Sequence, residues 1–246
     1  FEQNFSLHEK ALQKGIAIIS GVGFDVVPSD CLTKYVSDKV PDATHLELGI
    51  TGMSGFSRGT LKTFLTNIPY GTIIRKEGKL VSLPLGKNPK KIRFIDKNRY
   101  CYPISWGDIS TAYRSTNIGN IRVYMALPKF FKYFTGSLEP LIRDLLDIDL
   151  LQNVLGTLIE RTIEGPDEKV RQYSKSYLWA KTSNKKGDSF EAWLETIEPY
   201  RLTALSAIKC IKKLRDEEIK GALTPSQAFG KDFILEFPNT KRLDKL

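Results

Sequence analysis

The sequence has few of the residues that build metal centres or disulfide frameworks. It contains three cysteines and two histidines among 246 residues. Cys31, Cys101 and Cys210 are far apart and odd in number, and no Cys-x-x-Cys occurs. Only His8 and His45 could join a metal site. A disulfide scaffold is therefore excluded and no metal site is expected. Reduced thiols are typical of a cytoplasmic protein.

Targeting signals and long apolar runs are also lacking. No basic-then-apolar signal peptide opens the sequence. The longest apolar-leaning uncharged run, residues 150–159, is about half of the ~20 residues that a membrane helix needs. We therefore expect no membrane span. The composition, with 41% hydrophobic and 26% charged residues, is typical of a globular protein, and the length predicts between one and two domains.

The charge is unevenly distributed along a chain of net charge +9. Between Arg75 and Arg99, nine basic residues accompany two acidic ones, which leaves +7 in this segment. Such an excess could serve a nucleic acid, a membrane surface, an anionic small molecule or only solubility. Nucleic-acid surfaces usually add stacking aromatic residues or a known module, and neither occurs here. We predict no nucleic-acid partner, and solvated strand edges and turns in this segment.

The first 40 residues alternate helix and strand. Residues 1–14 predict a helix that stops at Gly15, and residues 16–19 predict a short strand buried on both faces of a parallel sheet. A second helix is predicted from residue 31 to about residue 40, with Ser29 or Asp30 as its N-cap. A helix followed by a buried strand is half of a βαβ unit. We therefore expect residues before the first one in the native protein.

Two glycine- and serine-rich turns each lead from a strand into a helix. The first turn, 20–30, contains Gly21 and Gly23, and the second, 52–60, carries Arg58. Glycines permit close backbone approach, and the free N–H groups of a helix N-terminus can hold a phosphate or carboxylate. Arg58 could bind such a group bidentately. A tight strand-to-helix turn explains the glycines equally well, and an arginine at a helix start is often only a surface residue.

The rest of the chain predicts a sheet followed by helices. An antiparallel meander is predicted from strands at 79–83, 91–94 and 100–104, followed by a short helix at 109–113 and a strand at 120–126. Asp108 could cap that helix or act on a ligand, and Trp106 could line a pocket or belong to the core.

The last third predicts two further units. Residues 130–163 predict an amphipathic helical segment broken around Gly136 and Pro140, whose apolar surface could cover a sheet, close a cleft or form a dimer contact. A hairpin and a helix at 200–215 follow. The whole order predicts an α+β fold with a mixed, largely antiparallel sheet covered by helices. The last strand and helix of a truncated doubly wound domain would be attached at the N-terminus.

Four stretches of the sequence resemble one protein family. Residues 21–30, GVGFDVVPSD, resemble the G-x-G-F-D-x-x-P-[ST]-D signature of bacterial saccharopine dehydrogenase-like oxidoreductases, a family that includes trans-acting enoyl reductases. The other matching stretches are Ser57–Thr60, Pro103–Tyr113 and Gly221–Gly230. They follow the family order over nearly the whole chain, and residues 129–163 match least.

The resemblance implies an N-terminal Rossmann domain that binds NAD(P), followed by an α+β substrate domain. It divides this chain into 1–30, the end of the Rossmann domain, 31–198, the substrate and catalytic domain, and 199–246, a C-terminal helix and tail that pack back on the Rossmann side. The family's glycine-rich turn, which distinguishes NAD from NADP, would precede residue 1. The chain alone is therefore not expected to bind the nicotinamide cofactor tightly.

The implied function is reduction of a C=C or C=N bond in a small or acyl-type substrate with NAD(P)H. The alternative is a non-catalytic ligand-binding or interaction module that keeps the family fold. The predicted catalytic residues are Arg58, which would hold an anionic or carbonyl group, and Asp108 and Tyr113, which by residue type alone are candidates for proton donor or acceptor. The other candidate cleft residues are Gly21, Gly23, Phe24, Asp25, Pro28, Ser29, Asp30, Ser57, Gly59, Thr60, Trp106 and Gly107. The expected partners are a small-molecule substrate and, through the helices at 130–163, a second copy of the chain.

Overall fold

The computed structural model describes residues 1–52, 55–127, 131 and 139–246. Most of its strands belong to one large sheet. The strands in the described part of the chain are β1 (Ala17–Ile19), β2 (His45–Thr51), β3 (Thr72–Lys76), β4 (Lys79–Leu83), β5 (Lys90–Arg93), β6 (Asn98–Ile104), β7 (Asn120–Ala126), β8 (Lys175–Ser183), β9 (Ser189–Ile197), β10 (Gly221–Leu223) and β11 (Lys241–Leu243).

Helices occupy both ends of the chain and the segments between the strands. They are α1 (Glu2–Ser6), α2 (His8–Gln13), α3 (Val27–Ser37), α4 (Arg58–Asn67), α5 (Asp108–Thr116), α6 (Glu139–Leu146), α7 (Asp149–Thr162), α8 (Glu168–Tyr173), α9 (Pro199–Asp216) and α10 (Pro225–Phe229). Short 3-10 turns lie at Ile68–Tyr70 and Phe233–Glu236. None of the described helices combines the length and the apolar character needed to cross a bilayer.

The large sheet has nine strands, and its main path runs β11-β9-β8-β2-β7-β3-β4. Strand β6 also pairs with β7 and carries β5 on its other side. The neighbours β2 and β7 run parallel, whereas the other pairs in this sheet run antiparallel. The predicted class, a mixed and largely antiparallel sheet covered by helices, is therefore confirmed.

The predicted N-terminal helix and strand are both present but differ in detail. The helix is interrupted at Leu7, which separates α1 from α2. Strand β1 pairs in parallel with β10, from the far end of the chain, and its three residues are only half-buried. The expectation of a strand buried on both faces is wrong for this structure, because β10 is the one strand that pairs with β1 in the described part of the chain.

The predicted meander is a pair of hairpins. Strands β3 and β4 form one hairpin and β5 and β6 the other, and no pairing joins β4 to β5 within the described residues. Strand β3 was not predicted. It brings Arg75 to a site that is only 4% exposed, so one of the nine basic residues of this segment is buried rather than solvated.

The two faces of the sheet are covered differently. Helices α3 and α5 pack on one face, and the main core lies between them and side chains such as Leu48, Val123 and Leu194. The opposite face is covered only in part, by the β5–β6 hairpin, which buries Tyr124, Trp179 and Trp193 in a second, smaller core. We call these the helix-covered face and the hairpin face.

A glycine allows the hairpin to approach its face. A Cβ atom at Gly49 of β2 would lie 2.9 Å from Ile92 Cδ1 of β5. A larger residue would have to displace the Ile92 side chain or the hairpin that carries it.

The apolar segment predicted at 130–163 forms α6 and α7 where the structure describes it. Residues 130 and 132–138, which include the predicted break at Gly136, lie outside the described residues. Helix α7 packs on α4, and Arg143 of α6 donates two hydrogen bonds to Pro69 O, 3.0 and 2.7 Å long. Large apolar side chains of both helices, and of Ile148 between them, remain exposed: Leu141, Leu145, Ile148, Leu150, Val154 and Leu158.

Candidate functional site

The turn after β1 requires its first glycine. Gly21 has a φ of +77°, and a Cβ atom there would lie 2.5 Å from Val26 Cγ2. Helix α3 then begins with Val26 as its N-cap, and no side chain caps it. The predicted N-caps Ser29 and Asp30 lie inside the first turn instead. Pro28 fits the start of this longer helix, since its missing N–H would be unsatisfied there.

Asp30 holds the C-terminal part of the chain. Its side chain is fully buried, and Oδ2 accepts a hydrogen bond of 2.7 Å from the backbone N–H of Ser226 at the start of α10. The side chains of Ser115, Thr224 and Ser226 surround the carboxyl group. Burial raises the pKa of Asp30, although these donors oppose the shift. Asp30 thus joins α3 to α10 and does not face solvent.

Asp108 is the least satisfied acid of the described residues. It opens α5 and is fully buried, and neither carboxyl oxygen has a hydrogen-bond donor in the described part of the chain. Ser29 lies beside it, but the Ser29 hydroxyl donates to Val26 O at 3.0 Å. Burial, then the nearby charges of Asp30 and Asp25, raise the pKa of Asp108 well above its usual range. The group therefore keeps its proton to unusually high pH.

The predicted capping role of Asp108 is not seen. Gly107 is the N-cap of α5, and no side chain donates or accepts a capping hydrogen bond there. Asp108 stands one position further along, inside the protein. It is therefore a buried acid next to the loop that follows β1.

Asp25 and Trp106 form the solvent-facing rim above these buried acids. The indole Nε1 of Trp106 donates a hydrogen bond of 2.8 Å to Asp25 O. The side chain of Asp25 is exposed, yet desolvation by the surrounding protein raises its pKa. Phe24, by contrast, points into the core. An exposed acid with a raised pKa is suited to proton transfer.

Helix α9 binds both glycine-rich turns, which the sequence did not indicate. On its first turns, Tyr200 Oη accepts a hydrogen bond of 2.7 Å from Ser57 N, and Thr203 Oγ1 accepts one of 3.0 Å from Phe24 N. One turn further, the Ser206 hydroxyl donates to Val22 O at 2.6 Å. The only signal in the sequence is the spacing of these hydroxyl residues, three positions apart on a predicted helix.

Ser57 and Thr60 are occupied by the local structure of α4. Ser57 is the N-cap of this helix, and its Oγ accepts a hydrogen bond of 3.2 Å from Thr60 N. Gly59 is exposed, and a Cβ atom there would meet only Ser57 Oγ, at 3.8 Å. This part of the second turn is therefore open to solvent, and α9 is what links it to the first.

Arg58 is directed away from the buried acids. Its Nε donates a hydrogen bond to Ile163 O, at the C-terminal end of α7, and its charge also acts on Glu160 of that helix. A cation at a helix C-terminus is favourable, because the carbonyl groups there carry partial negative charge. No contact joins Arg58 to Asp25 or Asp108 in the described part of the chain.

Tyr113 also lies apart from this cluster. The guanidinium of Arg75 stacks over its ring, with 4.1 Å from Cζ to the ring centroid. Arg75 in turn donates from Nε to Ile109 O at 2.8 Å and from Nη1 to Gly78 O at 2.6 Å. Of the three residues predicted to be catalytic, the structure thus brings only Asp108 to the first glycine-rich turn.

The described residues do not form a dinucleotide cradle. The Val26 side chain fills the space beside Gly21. A Cβ atom at Gly23 would lie 3.0 Å from Thr203 Cγ2, and a Cβ atom at Gly107 would lie 2.9 Å from Phe1 Cε2. The protein's own side chains therefore occupy the room that these glycines leave. Within the described ranges, no three His, Cys, Asp or Glu side chains are grouped so as to hold a metal ion.

Comparison with known proteins gives a likeness of fold. No protein-family model matches the sequence, and no curated protein matches it either. Among solved structures, the chain is similar to apo saccharopine dehydrogenase (L-Glu forming) from Saccharomyces cerevisiae. The TM-score is 0.57 at 13% sequence identity, over 97% of this chain and 76% of that one. The predicted likeness to saccharopine dehydrogenase is therefore confirmed for the fold.

Proposed function

We propose that this chain is part of a saccharopine dehydrogenase-like oxidoreductase that uses NAD(P)H to reduce a C=C or C=N bond of a small or acyl-type substrate. One observation carries the proposal: three of the four stretches that resemble the family contact one another, and the fourth is linked to them by α9. Residues 21–30 contact 103–113 through Trp106 and Asp25, and contact 221–230 through Asp30 and Ser226. The fourth stretch, 57–60, joins them through α9.

The proposed division of the chain has support from the strand pairing. Residues 1–30 would end a Rossmann domain, 31–198 would form the substrate domain, and 199–246 would return to the Rossmann side. Strand β10 lies in the last segment and pairs in parallel with β1 of the first. A parallel pair of this kind is what the edge of a doubly wound sheet would provide.

Asp25 is the acid that we assign to proton transfer, in preference to Tyr113. Its side chain is exposed at the rim, and its raised pKa brings its titration closer to neutral pH. Tyr113 is stacked under Arg75. Because the described residues leave no cradle for the dinucleotide, we assign the cofactor to residues outside them and derive no step that involves it.

The experiment that tests the function is a titration of the full-length protein with NADH and, separately, with NADPH, in which binding is monitored by tryptophan fluorescence. Trp106 lies at the rim, whereas Trp179 and Trp193 are buried in the hairpin-face core. We expect saturable quenching that Trp106→Phe reduces more than Trp193→Phe does. Absence of saturable binding of either cofactor would overturn the proposal.

Turnover provides the second test. On a panel of enoyl and imine substrates, Asp25→Asn is expected to lower kcat about 10²-fold or more, the usual contribution of a general acid. Asp188→Asn, in the β8–β9 turn, is the matched control, and its kcat should stay unchanged. Equal activity of Asp25→Asn and the unmodified protein would contradict the role of Asp25.

The second candidate is a non-catalytic module that keeps the family fold. The observation that favours it is the filling of the space at Gly21, Gly23 and Gly107 by the protein's own side chains. Arg58 and Tyr113 are likewise engaged in structural contacts. The titration separates the two candidates, since a module of this kind would bind neither reduced cofactor.

We also propose a homodimer through α6 and α7, in a cytoplasmic protein. The exposed side chains form two apolar stripes. One consists of Leu141 and Leu145 on α6, continued by Ile148 between the helices, and the other of Leu150, Val154 and Leu158 on α7. Acidic residues border both stripes: Asp144, Asp147 and Asp149. The basic segment 75–99 of a second copy offers the opposite charge, which an anionic membrane would not. The three cysteines are free and buried, as reduced thiols are in the cytoplasm.

A further inference from the structure

The hairpin face carries a depression that lies apart from the site described above. It has a volume of about 360 Å³, within the range of small-molecule pockets. Its floor follows from the strand register. His45 of β2 lies between Ser183 of β8 and Asn120 of β7. This row of side chains points away from α3 and α5.

A second row lies next to the first, two residues further along each strand. Glu47 of β2 stands between Lys181 of β8 and Arg122 of β7. Strand β3 runs antiparallel to β7 with Arg75 opposite Ile121, which sets Ile74 and Lys76 beside β7 at the edge of both rows. All of these outward side chains line the depression. The next row along the strands is covered by the β5–β6 hairpin, which forms one wall.

The charges of this floor are predominantly positive. Lys76, Arg122 and Lys181 line it, and none of them has a carboxylate oxygen within 4.0 Å in the described part of the chain. Arg122 does lie beside the hydroxyl of Tyr124. Three cations that converge on one depression without ion-pair partners provide a site for an anion.

Two carboxylates lie nearby, and both are already engaged. Glu47, within the depression, forms an ion pair with Lys90 through Oε2 and accepts a hydrogen bond of 3.3 Å from the Tyr124 hydroxyl at Oε1. Glu191 lies opposite Lys181 on β9 and accepts a hydrogen bond of 2.6 Å from Trp179 Nε1. With Lys90 and the ion pair between the lining Arg75 and Glu2 included, there are five cations and three carboxylates, so the depression keeps a positive balance.

We propose that this depression binds a small dianion, either a phosphate monoester or a dicarboxylate. The guanidinium of Arg122 would hold two oxygens of the anion as a fork, and the lysines at either side would act as point charges. The hydroxyl of Ser183 adds a donor, and Ile74 leaves an apolar wall for a short carbon chain. The site lies on the opposite face of the sheet from Asp25 and Asp108, so it is independent of the proposed reductase site.

The experiment is calorimetric titration of the full chain with inorganic phosphate and, separately, with malonate, at constant ionic strength set by NaCl. Saturable binding of either anion is expected. A lower Kd for phosphate would assign the site to phosphate monoesters, and a lower Kd for malonate would assign it to dicarboxylates. No saturable binding of either anion would overturn the proposal.

Variants with opposite expected effects distinguish a site from general basicity. Lys181→Ala and Arg122→Gln are expected to raise Kd about tenfold or more, as for a lost charge-assisted hydrogen bond. Glu47→Gln should lower Kd, because it removes negative charge from the floor. Lys212→Ala, an exposed lysine of α9, is the matched control. If Lys212→Ala weakens binding as much as Lys181→Ala, the anion is held by net charge alone and the proposal fails.

Thermal unfolding, detected by fluorescence, tests the same site when a variant is too unstable for calorimetric titration. A ligand that binds the native state raises the unfolding temperature, and at a fixed ligand concentration the rise grows with the logarithm of the affinity. Phosphate or malonate should raise it for the unmodified protein and for Lys212→Ala. A rise of the same size in Lys181→Ala would contradict the assignment.

Discussion

The two faces of the large sheet treat charge in opposite ways. The helix-covered face buries two carboxyl groups: Asp30 of α3 accepts one backbone hydrogen bond through Oδ2, and Asp108 of α5 accepts none in the described part of the chain. The hairpin face leaves its cations near solvent, where the charged form costs little. A buried carboxyl avoids the cost of desolvation by keeping its proton, whereas an open cation keeps its charge. The helix-covered face is thus suited to holding protons and the hairpin face to holding anions.

The largest expected effect is the loss of stability when a core residue of either face is replaced, which tests whether both faces contribute equally to the free energy of unfolding. Leu48 is fully buried under the helices, and Trp179 is 4% exposed under the hairpin. Leu48→Ala should lower the free energy of unfolding by about 2–5 kcal/mol and Trp179→Ala by about 3–5 kcal/mol. Urea denaturation measures both. A loss below about 1 kcal/mol for Trp179→Ala would mean that the hairpin does not form a core.

The next effect concerns the pH dependence of the helix-covered face. The folded pKa of Asp108 is raised, so its contribution to stability is fully present below the unfolded pKa, about 4. That contribution is lost as pH rises through the folded pKa. Asp108→Asn cannot ionise, and it should exceed the unmodified protein in stability by about 1–3 kcal/mol at pH 8. The difference should vanish near pH 4.

The measurement is urea denaturation of both proteins from pH 4 to pH 9. Asp188→Asn is the matched control, because Asp188 is exposed in the β8–β9 turn, away from both buried acids, and should change the slope less. Parallel stability curves for Asp108→Asn and the unmodified protein would show that the carboxyl at position 108 titrates normally.

The smallest expected change in stability concerns α6 and α7. Leu150→Ser and Val154→Ser alter exposed side chains and should shift the free energy of unfolding by no more than about 0.5 kcal/mol. Self-association should nevertheless fall, as sedimentation velocity would show, if these stripes form the dimer contact. Leu246→Ser, at an exposed apolar residue elsewhere, is the control. A monomer before substitution, or a dimer that persists after it, would contradict the homodimer.

Much of the fold followed from local patterns in the sequence. Strand β7 has the predicted bounds, and α9 lies within one residue of its predicted bounds at each end, because alternation and helical periodicity are properties of neighbouring residues. Strand β3 was not predicted, although Thr72–Lys76 is rich in β-branched residues. Its last two residues, Arg75 and Lys76, belong to the basic segment for which solvated edges and turns were expected. The parallel pairing of β2 with β7 is a contact between distant segments, and no local pattern encodes it.

The candidate site was predicted by residue type, and the structure places its residues in different surroundings. Asp25 and Trp106 do meet, because their two segments pack together. Arg58 was expected to hold a ligand, but its donor binds Ile163 O more than 100 residues away in the sequence. The contacts of the α9 hydroxyl groups were not predicted, because serine and threonine are common on helices. Their hydrogen-bond partners, Phe24 N and Val22 O, come from a distant part of the sequence.

The hydrogen bond between Asp30 and Ser226 joins residues that are 196 positions apart. A ribosome adds about 5–20 residues per second, so the N-terminal partner waits roughly 10–40 s for the other to be synthesised. Strand β1 likewise cannot pair until β10 has been synthesised. During translation the Asp30 carboxyl remains hydrated and the apolar start of α3 lacks its cover. The region around the first glycine-rich turn is thus completed only after residue 226 has been synthesised, and a chain released before that residue would lack it.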